Sequence, residues 1–288
     1  MSSLAVSPIA APSIAAAAPA PANINPRPPR VVEGHLSKIK DWAISTPPFA
    51  RAWLENPFTQ GTPIPLSPYA AQEMLKSFIP EGKEPCHFLE AGAGTGAITA
   101  QAVKILGPKD TLTLVELDPK LCGVLIARFG NDKRVKVYNS AIQDWKPLAG
   151  EPQKYDGLLS SIPFNSLPST EALPSAELLK DILGAYVRLV KDGKPFAHAN
   201  YVGTSTLCRT GLSMLSTRSS ILSVVSCGEK RAKAKAGLVK AKAEFDNFVA
   251  MTKVWKDFRS QHQLQETMVK MNAPFAWVNA GTLKAKTE

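Results

Sequence analysis

The chain has 288 residues, with 34 Lys+Arg against 24 Asp+Glu and a formal charge of +10. A hydrophobic content of 44 % with 20 % charged residues excludes a wholly disordered chain and allows one ordinary domain with a core, plus appendages. Cys86, Cys122, Cys208 and Cys227 form no CxxC pair and no apolar run reaches the roughly 18 residues of a membrane span, so a structural zinc, a disulfide framework and a spanning helix are set aside and a reducing compartment fits. The positive balance asks for an anionic partner, either nucleic acid or a membrane surface.

Residues 1–30 are rich in Ala and Pro and hold no acidic residue. Pro breaks helices, so this stretch reads as a disordered tail, and its arginines follow the apolar part, against a secretory signal. Residues 31–80 form the next unit. Val32, Leu36, Ile39 and Ala43 fall at helical spacing beside His35, Lys38 and Lys40, which predicts an amphipathic helix suited to a protein face or a lipid interface. A further helical turn or two is expected at Phe49–Leu54. Beyond a loop rich in Pro and Gly, Ser67-Pro68 reads as the cap and first position of a helix running to Leu75.

From residue 81 strands and helices alternate. Strands are expected at 87–91, 111–117, 135–139, 155–162 and 194–201. Helices are expected at 96–106, from Pro119 to Phe129, and at 171–190. Such alternation implies βαβ units and a parallel sheet covered on both faces. A basic helical segment spans about 228–262, with Leu238, Ala241, Phe245, Phe248, Thr252 and Trp255 at helical spacing and Lys230, Lys233, Lys235, Lys240 and Lys242 near its start. Residues 266–278 return as a strand or strand pair.

Between the first strand and the first helix lies Glu90-Ala91-Gly92-Ala93-Gly94-Thr95-Gly96. Glycines there permit a sharp turn and a close approach of backbone N–H groups to a ligand. Glu116, twenty positions past Gly96, ends the second strand and can accept from both hydroxyls of a ribose. Gly92, Gly94 and Ala97 also satisfy the GxGxxA of nicotinamide enzymes. Two features point away from those enzymes. Glu90 suits a cationic amino-acid group, and a second patterned loop, Ser140-Ala141-Ile142-Gln143-Asp144, follows the third strand. Ala141 and Ile142 could sandwich an adenine, while Leu117 and Ser160 complete the expected cofactor set. Asp118 precedes Pro119 and is expected to cap that helix.

The ordered set of these loops resembles the S-adenosylmethionine-dependent methyltransferases of the Rossmann-like class. The resemblance implies an α/β fold with a mostly parallel seven-stranded sheet, and S-adenosylmethionine as the cofactor. In amino methyltransferases the end of the fourth strand often holds [DNS]-P-P-[YF]. Here Ser161-Ile162-Pro163-Phe164 stands there, with Ser in the Asn/Asp slot and Ile162 in place of the first Pro. That departure speaks against a nucleic-acid base as acceptor.

The stretch 160–168, SSIPFNSLP, is similar to the soluble bacterial phosphatidylethanolamine N-methyltransferases, with their S-x-[IL]-P-[FL]-x-x-[LF]-P pattern. Residues 51–74 resemble that family's region before the domain, with Pro65-Leu66-Ser67 where Pro-Ser-Ser is common. Asn272–Val278 resembles its N-L-P-P-A-x-V strand, with Ala273 and Phe275 substituted. The resemblance implies a cytoplasmic enzyme that is peripherally membrane-associated, monomeric, and acts on an aminophospholipid at an anionic membrane rather than on nucleic acid. Ser161, Pro163 and Phe164 then frame the acceptor. Tyr69, Tyr201 and His198 are candidate proton acceptors. Alternatives are an rRNA adenine dimethyltransferase, a small-amine methyltransferase and a non-catalytic lipid-binding protein.

Overall fold

The computed structural model describes Thr46 and residues 65–78, 84–164, 167–168, 174–201, 228–272 and 276–284. The expected tail, the helix at 31–44 and the turns at 49–54 lie outside these residues. So do the side chains of Tyr201, Lys230, Lys233, Leu238, Lys240 and Ala241.

Seven strands form one sheet: β1 (His87–Ala91), β2 (Thr111–Glu116), β3 (Val135–Asn139), β4 (Gly157–Ser160), β5 (Pro195–Tyr201), β6 (Gln265–Val269) and β7 (Ala276–Thr282). Their order is β3-β2-β1-β4-β5-β7-β6. β1 to β5 run parallel, and β7 lies antiparallel between β5 and β6. The fold is α/β and Rossmann-like, as expected, with a mostly parallel sheet. The chain reverses direction in the sheet beside β1, so the strand ends of β1, β2 and β4 open a crevice where such sheets take ligands.

Period-two alternation sends successive side chains to opposite faces. Phe88, Leu112, Leu114 and Leu159 face α1 (Pro68–Leu75), α2 (Thr99–Ala102) and α3 (Pro119–Phe129), packing with Met74, Phe78, Ile98 and Leu125. Leu89, Val115, Leu158 and Phe196 face α4 (Ser175–Leu189) and α5 (Gly228–Gln261), packing with Leu179, Tyr186 and Phe258.

Caps behave as the sequence predicts. The Ser67 hydroxyl accepts from the Ala70 N–H at 3.3 Å, and the Asp118 carboxylate accepts from the Lys120 N–H at 2.8 Å. Other elements differ from expectation. The helix predicted over 96–106 is reduced to the four residues of α2, with turns on both sides, because three positive-φ glycines precede it and Gly107-Pro108 ends it. β4 covers only 157–160: Tyr155 forms an isolated bridge with Val190, and Pro163 has no N–H to continue the ladder. The basic segment is a single helix of 34 residues, about 51 Å long at 1.5 Å per residue. Its buried seam runs through Phe248, Met251 and Phe258, whereas Thr252 is exposed and donates to the Phe248 carbonyl at 2.9 Å.

Candidate active site

The glycine loop leaves β1 with Gly92, Gly94 and Gly96 at φ of +69°, +58° and +82°. A side chain at Gly92 would place its Cβ 2.7 Å from Ile162 Cγ1, and one at Gly96 would fall 2.3 Å from the Phe129 ring. Both positions therefore need glycine for conformation and for space. The Gly92 N–H donates to the Val115 carbonyl at 2.9 Å, and Arg128 donates to the Thr95 carbonyl, which holds the loop against β2 and α3.

Glu90 is fully buried beneath this loop. Its Oε2 accepts from the Thr99 hydroxyl at 2.8 Å, while Oε1 has no hydrogen-bond partner. Burial lifts its pKa from 4.5 to about 8, against the lowering effect of Thr99 and with help from the Glu116 charge. A buried acceptor with a free oxygen is suited to a cationic amine, whose charge would offset the burial cost. Glu116 ends β2, nearly buried. One of its oxygens accepts the Gly94 N–H at 2.8 Å and the other the Asp118 N–H at 2.9 Å. A carboxylate offers about four lone-pair sites, so two ribose hydroxyls can still be served. Burial raises this pKa too.

The end of β3 is stitched to the same place. The Ser140 N–H donates to the Glu116 carbonyl at 3.0 Å, and the Asn139 side-chain amide donates to the carbonyls of Glu116 and Leu117 at 2.9 and 2.8 Å. Leu117 is 60 % exposed and Ala141 half-buried. Ile142 instead belongs to the core with Val115 and Trp145. Asp144 is exposed.

The loop after β4 has two tethers. The Ser161 hydroxyl donates to the Gly92 carbonyl at 2.9 Å, joining this loop to the glycine loop. The Ser160 hydroxyl is buried, 2.7 Å from the Tyr186 hydroxyl and 3.1 Å from His198 Nδ1. Phe164 is only 4 % exposed, and its ring stacks on His198 with centroids 4.0 Å apart and planes 9° apart. Trp255 of α5 meets both rings edge-on, at 5.2 and 5.0 Å. His198 is fully buried, and burial drives its pKa from 6.5 down to about 3, against a smaller opposing effect of Asn200 and Ser160.

Glu90, Gly92, Gly94, Gly96, Glu116, Leu117, Ala141, Ser160, Ser161, Pro163 and Phe164 thus gather at the ends of four adjacent strands. Ser160 and Phe164 point inward, into the layer beneath α4 and α5, so they touch protein rather than open crevice. Tyr69 is half-buried on α1, a helix packed on α2, β5 and β7. Tyr201 ends β5 opposite Ala276. Thr99, Asn139, Arg128 and Tyr186 escape sequence reasoning, and Trp255 is anticipated on a helical stripe but not at the site. Only Thr99 carries a local signal, a hydroxyl nine residues after the acid, one turn into the expected helix. Among the described residues, no group of His, Cys, Asp or Glu is arranged to hold a metal ion, and no helix is long and apolar enough to cross a membrane.

The family described as ribosomal RNA adenine dimethylase matches residues 67–162. That stretch covers α1 to the end of β4 and stops before Pro163 and Phe164. No curated protein matches the chain. Among solved structures, a candidate RNA methyltransferase, PH1948, of Pyrococcus horikoshii is similar at 13 % identity, covering 76 % of this chain and 84 % of that one, with a TM-score of 0.43. A candidate S-adenosylmethionine-dependent methyltransferase of Methanococcus maripaludis shares 12 % identity over 88 % of this chain and 94 % of that one, TM-score 0.43. The N-methyltransferase NodS of Bradyrhizobium japonicum shares 13 % over 80 % and 98 %, TM-score 0.43. With the family match and the loop chemistry, the chain is an S-adenosylmethionine-dependent methyltransferase of class I, and S-adenosylmethionine is its cofactor.

Proposed function

We propose that the chain transfers methyl groups to the amine of phosphatidylethanolamine or a related aminolipid at an anionic membrane surface, as a cytoplasmic, peripherally bound enzyme. Phe164 carries this reading. An aromatic residue at the end of such a loop would receive a planar base on its face. Here one face of the Phe164 ring is covered by His198, its flank by Trp255, and almost none of it is exposed. Ser161 stands where an Asn or Asp would accept the hydrogens of a base's amino group, and its hydroxyl is committed to the Gly92 carbonyl. Both features favour a flexible aliphatic amine. The resemblance of 160–168 to the lipid enzymes points the same way.

Methylation of rRNA adenine is the second reading. It is supported by the family match over 67–162. That match takes in Ser161, in the slot that would meet a base's amino group, so the comparisons favour this second reading over the first; it ends before Pro163 and Phe164.

The bound cofactor supplies an electrophilic methyl group on a positive sulfur. The chain's own residues do the rest. Glu90 would take the amino-acid ammonium, Glu116 the ribose hydroxyls, and Leu117 with Ala141 would flank the adenine. The loop after β4 holds the acceptor amine in line, and such positioning can account for roughly 7–11 kcal/mol of a barrier in favourable cases. Burial of the acceptor beside positive charge disfavours its ammonium form and so helps expose the lone pair. His198 is a poor proton acceptor near neutral pH, because burial holds its pKa near 3. Tyr69 and Tyr201 remain candidates.

The test is direct. The full-length chain is incubated with methyl-labelled S-adenosylmethionine and vesicles of phosphatidylethanolamine in an anionic lipid background. Label is expected in the organic extract as N-methylated lipid, and it should fall at least tenfold in Glu116→Ala. Vesicles lacking the primary amine should take up none. Label absent from lipid but present in added rRNA would replace this reading by the second.

A further inference from the structure

The stack at Phe164 raises a question about His198. It sits next to the loop where chemistry is expected, yet its ring is wholly buried and burial keeps it uncharged near neutral pH. Those properties suit a support better than a proton acceptor.

Three contacts define what it supports. On one side, Nδ1 lies 3.1 Å from Ser160 Oγ, and the same oxygen lies 2.7 Å from the Tyr186 hydroxyl. Ser160 is the last residue of β4, in register with His198 on β5 and with Ala91 on β1. On the ring face, Phe164 stacks at 4.0 Å. On the flank, Trp255 closes the pocket at 5.0 Å, itself stacked on Phe258 at 5.8 Å. His198 therefore touches the first and last residues of the segment 160–164. Between those anchors lie Ser161, Ile162 and Pro163. Ser161 is bound to the Gly92 carbonyl, and Ile162 stands where a side chain at Gly92 would be.

We propose that His198 is a positioning residue, which fixes the loop 161–163 against the glycine loop by holding Ser160 through Nδ1 and Phe164 through its ring face. The proposal rests on the reading that this loop receives the acceptor amine. A shift of about 1 Å in such a segment can cost on the order of 100-fold in rate. The effect of losing His198 is therefore expected in turnover rather than in cofactor affinity, since its hydrogen bond goes to Ser160 and its ring contacts to Phe164 and Trp255. The Tyr186 hydroxyl keeps Ser160 oriented, so the ring stack and the Ser160 bond are separable contributions.

Two variants separate them. His198→Phe keeps a ring for Phe164 and loses the bond to Ser160. His198→Asn keeps a polar partner for Ser160 and loses the stack. In the full-length chain, calorimetric Kd for S-adenosylmethionine is expected to stay within about threefold of wild type in both. kcat with phosphatidylethanolamine vesicles should fall at least tenfold in His198→Asn, and less in His198→Phe. The pH profile of His198→Phe between pH 6 and 9 should keep the wild-type shape. Wild-type kcat in both variants, or an acidic limb that vanishes in His198→Phe, would overturn the proposal.

A further measurement needs no variant of His198 and no substrate. In wild-type protein with isotope-labelled histidine, the His198 imidazole should remain neutral from pH 8 down to 5, and Ser160→Ala should shift its resonances along with those of Phe164. A midpoint between pH 5.5 and 7.5, or no response to Ser160→Ala, would overturn the platform. If wild-type protein methylates no lipid at all, the functional reading fails, while this measurement still decides the platform.

Discussion

Glu90 and Glu116 show how two carboxylates of one site come to differ. Glu116 holds two backbone N–H groups on separate oxygens, whereas Glu90 has one hydroxyl and a bare oxygen. Their places were legible in the sequence as an acid beside the first glycine and an acid at the end of the second strand. Their electrostatic difference was not, because it depends on Thr99 and on depth of burial. The linkage has a definite sign. Glu90 titrates near 4.5 when unfolded and about 8 when folded without cofactor. Between those values the folded state holds the extra proton, so its contribution to stability is full below about pH 4.5 and is lost as pH rises through 8. Urea denaturation of cofactor-free protein should show wild type losing stability relative to Glu90→Gln between pH 5 and 8, by up to roughly 1.4 kcal/mol per pH unit. Parallel curves for the two proteins would refute the shift. Phe164 teaches the opposite lesson. Its motif position suggested a ring facing the acceptor, and long-range packing from α5 and β5 turned it inward.

Elements with strong local signals match their expected bounds: β1 and β3, the helix opened by Ser67-Pro68, and the helix opened by Asp118-Pro119. Elements whose limits depend on tertiary demands do not. α2 gives up residues 96–98 to the turns of the glycine loop and 103–106 to the turn before Gly107-Pro108, and α5 buries a seam displaced from the one its apolar spacing suggests. Helix α3 offers a test that isolates conformation from function. Gly123 lies in it, exposed, and a Cβ at that position would meet nothing within 4 Å. Gly123→Ala should stabilise by about 0.8–1 kcal/mol, as Ala replaces Gly in a helix interior. Gly96→Ala should destabilise by about 2 kcal/mol or more, since φ of +82° and contact with Phe129 both oppose a side chain. Chemical denaturation of both variants measures this. A Gly96→Ala protein as stable as wild type would mean that loop and α3 are not packed as described.

At the scale of the whole molecule, the charge of +10 gains a location. Five lysines crowd the first half of α5, and two of them, Lys235 and Lys242, have described side chains, both exposed. They share a helical stripe with Val239 and Val249, which are 70 % and 49 % exposed. The second half of the same helix supplies Trp255 and Phe258 to the layer behind the reaction loop. A basic surface and the support of the site are thus parts of one rod. The surface reading was available from composition. Its link to the site was not, since it rests on which residues of α5 meet β5. Reversing Lys235 and Lys242 to Glu should weaken sedimentation with anionic vesicles by roughly tenfold or more, at about 1 kcal/mol for each lysine near such a membrane, and leave cofactor affinity unchanged. Full vesicle binding by the reversed protein would mean that α5 does not meet the membrane.

The proposed acceptor is the amine of phosphatidylethanolamine. Purified full-length chain, labelled S-adenosylmethionine, phosphatidylethanolamine vesicles and deproteinised rRNA in one reaction test it most directly. Label is expected in the lipid extract as N-methylated phosphatidylethanolamine, with the RNA unlabelled. Label in N6-methylated adenine, with unlabelled lipid, would contradict it.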